Sequence, residues 1–242
     1  MIDSLAEQTI KEIQFVVKSF KMPVTVAFSG GKDSIVLWDL VKRARLDNDL
    51  FGTQVKAQYN YTNLDHPKLV RFIREKYPEV HRSFPKRTFW QCMIYHRMPP
   101  THKVRWCCEE LKHKIKIGVI LTGIRKEESV AREKRAVAEI ASKKCLLFHP
   151  IFEWSELAVW TYIDHHKLAY PSLYEEEGIG RLGCIGCPLP GPKKQSKDFE
   201  KYPKFKAAYI RAMDRCVKKR IKDGLKTTWT TGQEMFDWWM RQ

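Results

Sequence analysis

The stretch Val24-Thr25-Val26-Ala27-Phe28-Ser29-Gly30-Gly31-Lys32-Asp33-Ser34 joins an apolar strand candidate to a helix that we expect to begin near Asp33. Adjacent glycines let the backbone approach an anion closely. Ser29, Ser34 and the exposed N–H groups at the helix start can donate to phosphate oxygens, and Lys32 adds a positive charge. The stretch therefore predicts a phosphate-binding loop between a strand and a helix.

The remaining sequence alternates between the hydrophobic patterns of helices and strands. Helices are predicted at residues 4–20, 34–45, 67–76, 88–95, 106–114, 155–165 and 199–222, and strands at residues 24–28, 54–59, 117–122 and 145–148. This alternation predicts an α/β fold with a mainly parallel twisted sheet, helices on both faces and a helical C-terminal tail. Ligands gather at the carboxyl ends of the strands in such a sheet, which is where residues 29–34 fall.

The length of 242 residues fits one α/β enzyme domain, and the hydrophobic content of 43% supplies a substantial core. We assign residues 1–190 to a nucleotide-binding domain and residues 191–242 to a basic helical extension packed on it. No apolar run is long enough to span a membrane, and the N-terminal residues lack the pattern of a secretory signal. We therefore expect a cytoplasmic protein without a membrane partner.

The net charge of +16 comes from 44 lysines and arginines against 28 aspartates and glutamates. Such an excess favours a polyanionic partner, and nucleic acid is the obvious candidate. Proteins that bind small phosphorylated ligands, or that merely stay soluble, can have the same charge. One basic and aromatic run suits a phosphate backbone or, equally, a solvated loop: Tyr95, His96, Arg97, His102, Lys103 and Arg105.

Two close pairs of cysteines suggest a common centre. Cys107-Cys108 is followed, after 75 intervening residues, by Cys184-Ile185-Gly186-Cys187. In a chain without a secretion signal, thiol, metal or cluster chemistry is favoured over disulfides. A lone Cys-x-x-Cys can be a redox pair, half of a zinc site or chance, but two pairs can converge.

The other three cysteines have simpler interpretations. Cys92 and Cys145 are expected to pack in the core. Cys216 lies in a helical pattern of large apolar residues, so it is either a small buried hydrophobe or a competing fourth ligand.

A second candidate anion site follows the strand predicted at residues 117–122. Gly123, Arg125 and Arg132 lie in and after the turn, and arginine suits phosphate recognition. Asp65, after an earlier strand, can reach a nucleotide or form a turn. His165-His166 is interpreted as a helix end, and Trp238-Trp239 as a tail helix that seals the core.

The loop does not have the spacing of the mononucleotide loop, in which four residues separate a glycine from a glycine-lysine pair. It resembles instead the pyrophosphate loop of the N-type ATP pyrophosphatases. Three further blocks resemble the phosphoadenylylsulfate reductase family of the same adenine nucleotide alpha hydrolase superfamily. They are Gly123-Ile124-Arg125 with Glu128, Ser129 and Arg132; His149-Pro150-Ile151 with Trp154 and Trp160; and Tyr170-Pro171-Ser172-Leu173-Tyr174 before Gly183-Cys184. The resemblance covers most of residues 22–190 and implies a Rossmann-like fold.

The cysteine pairs resemble the cluster-binding pattern of adenylylsulfate reductases. This resemblance implies a [4Fe–4S] cluster on Cys107, Cys108, Cys184 and Cys187, with structural zinc as the weaker alternative and Cys216 as the competitor of Cys107.

The sequence also departs from the reductases. Their loops generally lack the Gly-Gly-Lys-Asp-Ser run, and they use a nucleophilic cysteine near the C-terminus, whereas residues 227–242 contain none. ATP-sulfurylase small subunits resemble the loop but do not explain the cysteines. The combination resembles the ATP pyrophosphatases of DNA phosphorothioation and, more distantly, the thiolating enzymes of tRNA. That resemblance implies that an acceptor oxygen attacks the α-phosphorus of ATP, and that sulfur then displaces AMP.

The roles that follow are expectations. Ser29, Gly30, Gly31, Lys32 and Ser34 bind the β and γ phosphates with Mg²⁺, while Asp33 holds Mg²⁺ or caps the helix. Arg125 and Arg132 contact the α-phosphate or the acceptor, and Gly123 helps to bind the nucleotide. The cluster either carries the transferable sulfur or holds the site together.

The expected partners are nucleic acid, with DNA favoured and tRNA as the alternative, a cysteine desulfurase-type sulfur donor and a second copy of the chain. A nucleic-acid-binding module with a disabled loop, and a reductase of adenylylated sulfate, remain as alternatives from other classes.

Overall fold

A computed structural model describes residues 2–20, 22–45, 55–112, 115 and 117–242. The predicted strand start at residue 54 and the predicted helix end at residues 113–114 lie outside these residues. The chain forms two compact units. The sheet unit comprises Met1–Asn60, Lys68–Ser83 and Ile115–Leu182, and the cysteine unit comprises Tyr61–Pro67, Phe84–Lys114 and Gly183–Gln242. None of these junctions coincides with the division at residue 190 drawn from sequence, because the cysteine unit collects three separated segments.

The sheet unit contains a six-stranded sheet in the order β3-β2-β1-β4-β6-β5. The strands are β1 Val24–Ala27, β2 Val55–Asn60, β3 His81–Ser83, β4 Gly118–Leu121, β5 Ala138–Ser142 and β6 Cys145–Phe148. All neighbouring pairs are parallel except β5 and β6. In the register Val24 lies beside Val55 on one side and beside Val119 on the other. The buried apolar side chains of β1 and β4 explain why these central strands are visible in the sequence.

Helices complete the sheet unit: α1 Ile2–Phe20, α2 Lys32–Arg43, α3 Pro67–Lys76, α6 Val130–Glu133, α7 Glu156–His165 and α8 Leu173–Glu177, with a 3₁₀ turn at Lys126–Glu128. Helices α1, α2 and α7 pack against one another. The predicted α/β class with a mainly parallel sheet is confirmed. Strands β3 and β5 were not predicted, because they lie at the two edges of the sheet and have little buried apolar surface.

The cysteine unit is helical, with α4 Phe89–His96, α5 Trp106–Leu111, α9 Pro192–Lys201, α10 Pro203–Lys222 and α11 Gly232–Trp239. The single helix predicted at residues 199–222 is wrong, because the chain breaks between α9 and α10. Tyr202 there adopts φ −121° and ψ 67°. A residue before proline is pushed out of the helical region, and Pro203 cannot donate a backbone hydrogen bond. No described helix has both the length and the apolarity of a membrane span.

Helix α10 forms the centre of the cysteine unit and packs against α4, α9 and α11. Trp239 on α11 is 1% exposed, stacks on Tyr209 with ring centroids 5.1 Å apart, and donates from Nε1 to the carbonyl of Pro100 at 2.6 Å. The interpretation of this tail helix as a cover for a core is therefore confirmed.

We predict that Trp239→Ala lowers the free energy of unfolding by about 3–5 kcal/mol, because it leaves a large cavity and an unpaired carbonyl. Chemical denaturation measures the loss. The matched control is Trp238→Ala, since Trp238 is half-buried and packs on Trp229; its effect should stay within about 1 kcal/mol. If Trp239→Ala fails to fold, Trp239→Phe tests the lost Nε1 bond at about 1–3 kcal/mol. Equal losses for Trp238→Ala and Trp239→Ala would contradict the assignment.

Candidate functional site

The loop of residues 29–34 lies at the carboxyl end of β1, whose neighbours β2 and β4 lie on opposite sides. In doubly wound sheets, this switch in strand order opens a crevice for ligands. Gly30 has φ +75°, and a Cβ there would lie 2.7 Å from Cδ1 of Ile73. The loop conformation therefore requires glycine at this position.

The two serines of the loop have different roles in the structure. The Ser34 hydroxyl donates to the Gly31 carbonyl at 2.8 Å and accepts from the Ser29 N–H at 3.1 Å. The Ser34 hydroxyl thus shapes the loop in this geometry. The expectation that it donates to a phosphate stays a prediction. Ser29 is exposed, and its hydroxyl remains a candidate donor.

Lys32 is the central cation of this loop and is only 3% exposed. Its Nζ donates to the Gly180 carbonyl at 2.8 Å and lies 3.4 Å from Oε1 of Glu156 and 3.7 Å from Oδ2 of Asp33. An ammonium group at the start of a helix, shielded from water, is well placed to bind an anion. The sequence predicted Lys32 but gave no signal for Gly180 or Glu156, which are distant along the chain.

Tyr174 is a further residue that sequence reasoning did not assign to the loop. Its hydroxyl accepts from the Lys32 N–H at 2.9 Å, and a Cβ on Gly31 would lie 3.2 Å from that hydroxyl. Burial raises the pKa of Tyr174 to about 12, so the phenol stays protonated. A phenol that accepts one bond can still donate its proton, for example to a phosphate oxygen.

We predict that Tyr174→Phe raises the KM for a phosphate-bearing substrate of the loop about five- to tenfold, which is the effect of one lost hydrogen bond. The effect should be constant between pH 6 and 9, because the pKa of Tyr174 lies above this range. Steady-state kinetics across that range provide the measurement. The control is Tyr170→Phe, since Tyr170 is bonded to the exposed Glu175 and to no loop residue that the structure describes. Equal KM values for Tyr174→Phe and the parent protein would contradict the role.

The buried Arg125 forms an ion pair with the half-buried Asp33. The Arg125 Nε donates to Oδ1 of Asp33 at 2.6 Å, and its Nη1 donates to Glu127 at 2.9 Å and to the Trp154 carbonyl at 3.3 Å. The guanidinium is 2% exposed. Arg125 therefore positions Asp33 in this geometry, and its contact with the α-phosphate or the acceptor stays a prediction.

Asp33 does not cap the helix, because the N-cap is Gly31 and no side chain bonds there. Its two carboxylate oxygens face Arg125 and Lys32, so neither is directed to a free Mg²⁺ position in this geometry. Gly123 permits the close approach of the turn after β4, since a Cβ there would lie 2.9 Å from the Asp33 carbonyl carbon. Asp33 thus links Lys32 to that turn.

Arg132 lies in a second cationic group of the sheet unit. It pairs with Glu128, and Nε of Arg181 lies 4.0 Å from the same carboxylate. Burial and the neighbouring Arg181 lower the pKa of Arg132 to about 10, so it remains charged at neutral pH. Because one carboxylate serves two arginines, the group has a net positive charge that suits a phosphate. Arg135 is instead committed to Glu139, through bonds of 2.6 and 2.7 Å.

The four predicted cysteine ligands come together within the cysteine unit. The pKa of Cys107 is raised, first by its hydrogen bond with Cys108, then by burial and by the charges of Cys108, Cys184 and Cys187. Burial is also the main cause that raises the pKa of Cys187, with Cys184 and Cys108 nearby. All four thiols thus share one environment.

The turn of residues 184–187 is held by several backbone contacts. The Ile185 N–H donates to the Leu64 carbonyl at 2.8 Å, and the Gly186 N–H donates to Oδ2 of Asp198 at 3.1 Å. Gly186 has φ +72°, and a Cβ there would lie 2.5 Å from Cζ of Phe199. The glycine in Cys184-Ile185-Gly186-Cys187 is therefore required by packing.

Polar groups surround these sulfurs. Thr62 Oγ1 lies 3.7 Å from the Cys184 sulfur and donates to Oδ2 of Asp65 at 2.9 Å. The charge of Cys184 is the largest cause of a raised pKa at Lys112. The Thr62 N–H also donates to Asp65 at 2.7 Å, so Asp65 has the turn-forming role among its two predicted alternatives.

Cys216 lies apart from this group of thiols. It is fully buried in the core around α10, and its sulfur donates to the Met93 carbonyl at 3.3 Å. Burial raises its pKa to about 12. This position favours Cys107 over Cys216 as the fourth thiol of the group. Cys92 and Cys145 are buried in packing positions, as predicted.

The basic run of residues 95–105 and the histidine pair at residues 165–166 have defined positions in the structure. In the basic run, His96 pairs with Glu110 and Arg97 donates to Asp223 at 2.5 Å, whereas His102, Lys103 and Arg105 are exposed. His165 and His166 end α7 as predicted, and both lie near the carboxylate of Asp3. The Arg43 guanidinium lies 3.1 Å from Nε2 of His166. This positive charge disfavours the binding of a metal cation by Asp3, His165 and His166.

The strand order and the loop define an α/β protein with a mainly parallel sheet and a glycine-containing loop at its switch point. Residues 23–190 match the model of the phosphoadenosine phosphosulfate reductase domain. Because the match covers more than half of the chain, the chain belongs to this family.

Sequence relatives include an uncharacterized protein of Methanocaldococcus jannaschii, 30% identical over 85% of this chain and 44% of the relative. The chain spans about half the length of this protein and of a second uncharacterized relative from the same organism. Adenosine 5'-phosphosulfate reductase 2 of Bacillus subtilis is 23% identical over 78% of this chain and 83% of the relative.

Among solved structures, the phosphoadenylyl-sulfate reductase of Candida auris superposes with a TM-score of 0.53 at 19% identity, covering 77% of this chain and 95% of that one. The FMN adenylyltransferase of Candida glabrata superposes with a TM-score of 0.51 at 15% identity, covering 76% and 65%. At these identities the likeness establishes the fold alone.

Proposed function

We propose that this protein is an ATP pyrophosphatase that adenylates an acceptor oxygen, as the activating step of sulfur transfer onto nucleic acid. The observation that carries the proposal is Lys32: a buried ammonium group between a glycine pair and a helix start, at the switch point of the sheet. A phosphate-binding cation in this position serves a reaction in which negative charge develops on phosphate.

The chemistry is a displacement at the α-phosphorus of ATP. The acceptor oxygen forms a bond to that phosphorus, the bond from phosphorus to the α,β-bridging oxygen breaks, and its electron pair leaves with pyrophosphate. The acceptor proton passes to solvent. Lys32, Ser29 and the loop N–H groups stabilise the negative charge that accumulates on the departing pyrophosphate.

Two groups of residues support this reaction. Arg125 fixes Asp33, and Asp33 in turn faces Lys32. Protein groups therefore hold the ammonium group in its orientation. The cationic pair of Arg132 and Arg181 is suited to a further phosphate oxygen. Mg²⁺ would be held chiefly by the phosphates and water, because Asp33 is already engaged.

The cysteine group fits an iron–sulfur cluster. Four thiols of one unit share an environment, and thiolates are the preferred ligands of such clusters. Structural zinc also accepts four thiolates and is the alternative that metal analysis distinguishes. When bound, a cluster on Cys107, Cys108, Cys184 and Cys187 supplies sulfide and redox-active iron.

The fold neighbours offer an analogy for the adenylating step. The Candida glabrata FMN adenylyltransferase has been crystallised with an ATP analogue, and with FAD and inorganic pyrophosphate. Adenylyl transfer is therefore compatible with this fold, although fold alone does not assign an activity.

A second candidate is a reductase of adenylylated sulfate. It is favoured by the sequence relatives named adenosine 5'-phosphosulfate reductase, which cover 73% to 78% of this chain at 22% to 26% identity. This reaction needs a thiol reductant and releases sulfite, whereas the proposed reaction consumes ATP and releases pyrophosphate.

The test is the release of pyrophosphate from ATP by anaerobically purified protein, alone, with duplex DNA and with tRNA. Parallel reactions contain adenylylsulfate, phosphoadenylylsulfate and a thiol, and are assayed for sulfite. Pyrophosphate release that a nucleic acid stimulates supports the proposal and identifies the acceptor. Sulfite release without pyrophosphate release overturns it in favour of the reductase.

A further inference from the structure

The positive charge of this protein is concentrated in the cysteine unit. That unit contains 21 lysines and arginines against 9 aspartates and glutamates, whereas the larger sheet unit contains 23 against 19. Binding of a single nucleotide by the loop does not require this excess. A polyanion attracted by long-range electrostatics would meet it in the cysteine unit.

Much of the excess lies on one face of α10. Lys204, Arg211, Arg215, Lys218 and Lys222 are separated by seven, four, three and four residues. With 3.6 residues per turn, this spacing places all five on a single stripe along the helix. Lys204 and Lys222 are 18 positions apart, or about 27 Å at a rise of 1.5 Å per residue.

The stripe is the solvent face of α10. The buried residues of the helix are Tyr209, Ala212, Met213, Cys216 and Val217, which lie on its opposite side. The five cations of the stripe are exposed, with the Lys218 side chain at 75%. The stripe therefore remains accessible while the apolar face holds the core together.

The charges of the stripe are largely uncompensated. Lys218 pairs with Asp214 at 2.7 Å. Within the residues that the structure describes, no carboxylate pairs with Lys204, Arg211, Arg215 or Lys222. By contrast, Arg97, Lys194 and Lys219 of the same unit all have acidic partners. The row of five cations is about 27 Å long, which matches about eight phosphates of one strand of B-DNA, spaced by about 3.4 Å along the axis.

The chemistry of the stripe favours a nucleic acid over an anionic membrane. A helix that lies in a membrane surface presents apolar side chains beside its cations. In α10, apart from Ile221 near its C-terminal end, the large apolar side chains are buried or half-buried.

We propose that the outward face of α10 binds the sugar–phosphate backbone of a nucleic acid. In the proposed function this surface would hold the acceptor, so the inference rests on that function for its purpose. The binding of nucleic acid to the surface can nevertheless be measured without an assay of enzymatic activity.

The test compares two triple variants. In the first, Arg211, Arg215 and Lys218 become glutamine, which keeps the helix propensity. In the matched control, the exposed Lys18, Lys143 and Lys144 of the sheet unit become glutamine, so the net charge falls equally. Fluorescence anisotropy measures the binding of labelled duplex DNA and tRNA between 50 and 200 mM salt, and thermal melting verifies that both variants fold.

The α10 variant should bind at least about tenfold more weakly at 100 mM salt, and its slope of log K against log salt should be about 2–3 smaller for duplex DNA. The control should keep the slope of the parent protein. A stronger effect on either DNA or tRNA identifies the polymer that the surface prefers. Equal losses in both variants, an unchanged slope in the α10 variant, or binding to phosphatidylserine vesicles in place of nucleic acid would overturn the proposal.

The same variants separate this inference from the proposed function. If the parent protein binds nucleic acid through α10 but releases no pyrophosphate, the surface stands and the adenylating reaction falls. If pyrophosphate is released and the α10 variant binds nucleic acid normally, the reaction stands and the surface falls.

Discussion

Replacing Lys32 with alanine is expected to lower the rate of pyrophosphate release from ATP by about 10²- to 10³-fold, the usual cost of losing one preorganised group that stabilises transition-state charge. Lys32 is buried at the start of α2. Its neighbours in the sequence are Gly31 and Asp33, and neither can supply a positive charge in its place. The effect should appear mainly in kcat, because the charge on the leaving pyrophosphate develops during the reaction.

Two variants separate charge from packing at this position. Lys32→Gln keeps a polar side chain with N–H donors but has no charge, so it should fold like the parent protein and lose activity like alanine. Lys42→Ala removes an exposed lysine of the same helix, which lies 3.9 Å from Glu79, and should leave the rate within about twofold of the parent. Full activity in Lys32→Gln would contradict the role of the ammonium group.

The second large effect concerns the cysteine group. Serine substitution of Cys107, Cys108, Cys184 or Cys187 should each sharply reduce the iron and the sulfide that copurify with anaerobically prepared protein, because a cluster needs its thiolate ligands. Iron, zinc and acid-labile sulfide are measured by elemental and colorimetric analysis, together with the visible absorbance. These readouts do not depend on any enzymatic activity.

The matched controls are Cys145→Ala and Cys216→Ala. Both cysteines are buried, and Cys216 bonds only to the Met93 carbonyl in the part of the chain that the structure describes. These variants should be less stable by about 1–2 kcal/mol yet keep the iron of the parent protein. Stoichiometric zinc in place of iron, or equal iron loss in Cys216→Ala and Cys184→Ser, would contradict the assignment of the cluster and of its ligands.

The extent to which the sequence predicted the structure differs between elements. The central strands β1, β4 and β6 have buried apolar runs, and their positions were predicted to within one or two residues. The edge strands β3 and β5 were missed because a strand with little buried surface lacks that signal. The break before Pro203 was available in the sequence, but the continuous apolar periodicity on either side masked it.

What the sequence by itself determined is local. The glycine pair and Lys32 predicted the phosphate-binding loop, because a tight turn before a helix depends on residues that are neighbours along the chain. The spacing of the tandem cysteines and of the Cys-x-x-Cys turn likewise predicted a common group of thiols. The alternation of helix and strand patterns predicted a mainly parallel sheet.

The tertiary structure decided which of these groups are free and which are already engaged. It buried Arg125 against Asp33, used the proton of Ser34 within the loop, and placed Cys216 in the core. It also brought Tyr174 and Gly180 to Lys32, across more than 140 residues of sequence. Such contacts join segments that are distant in the chain, so they depend on the packing of the whole unit. A local pattern of residues therefore cannot predict them.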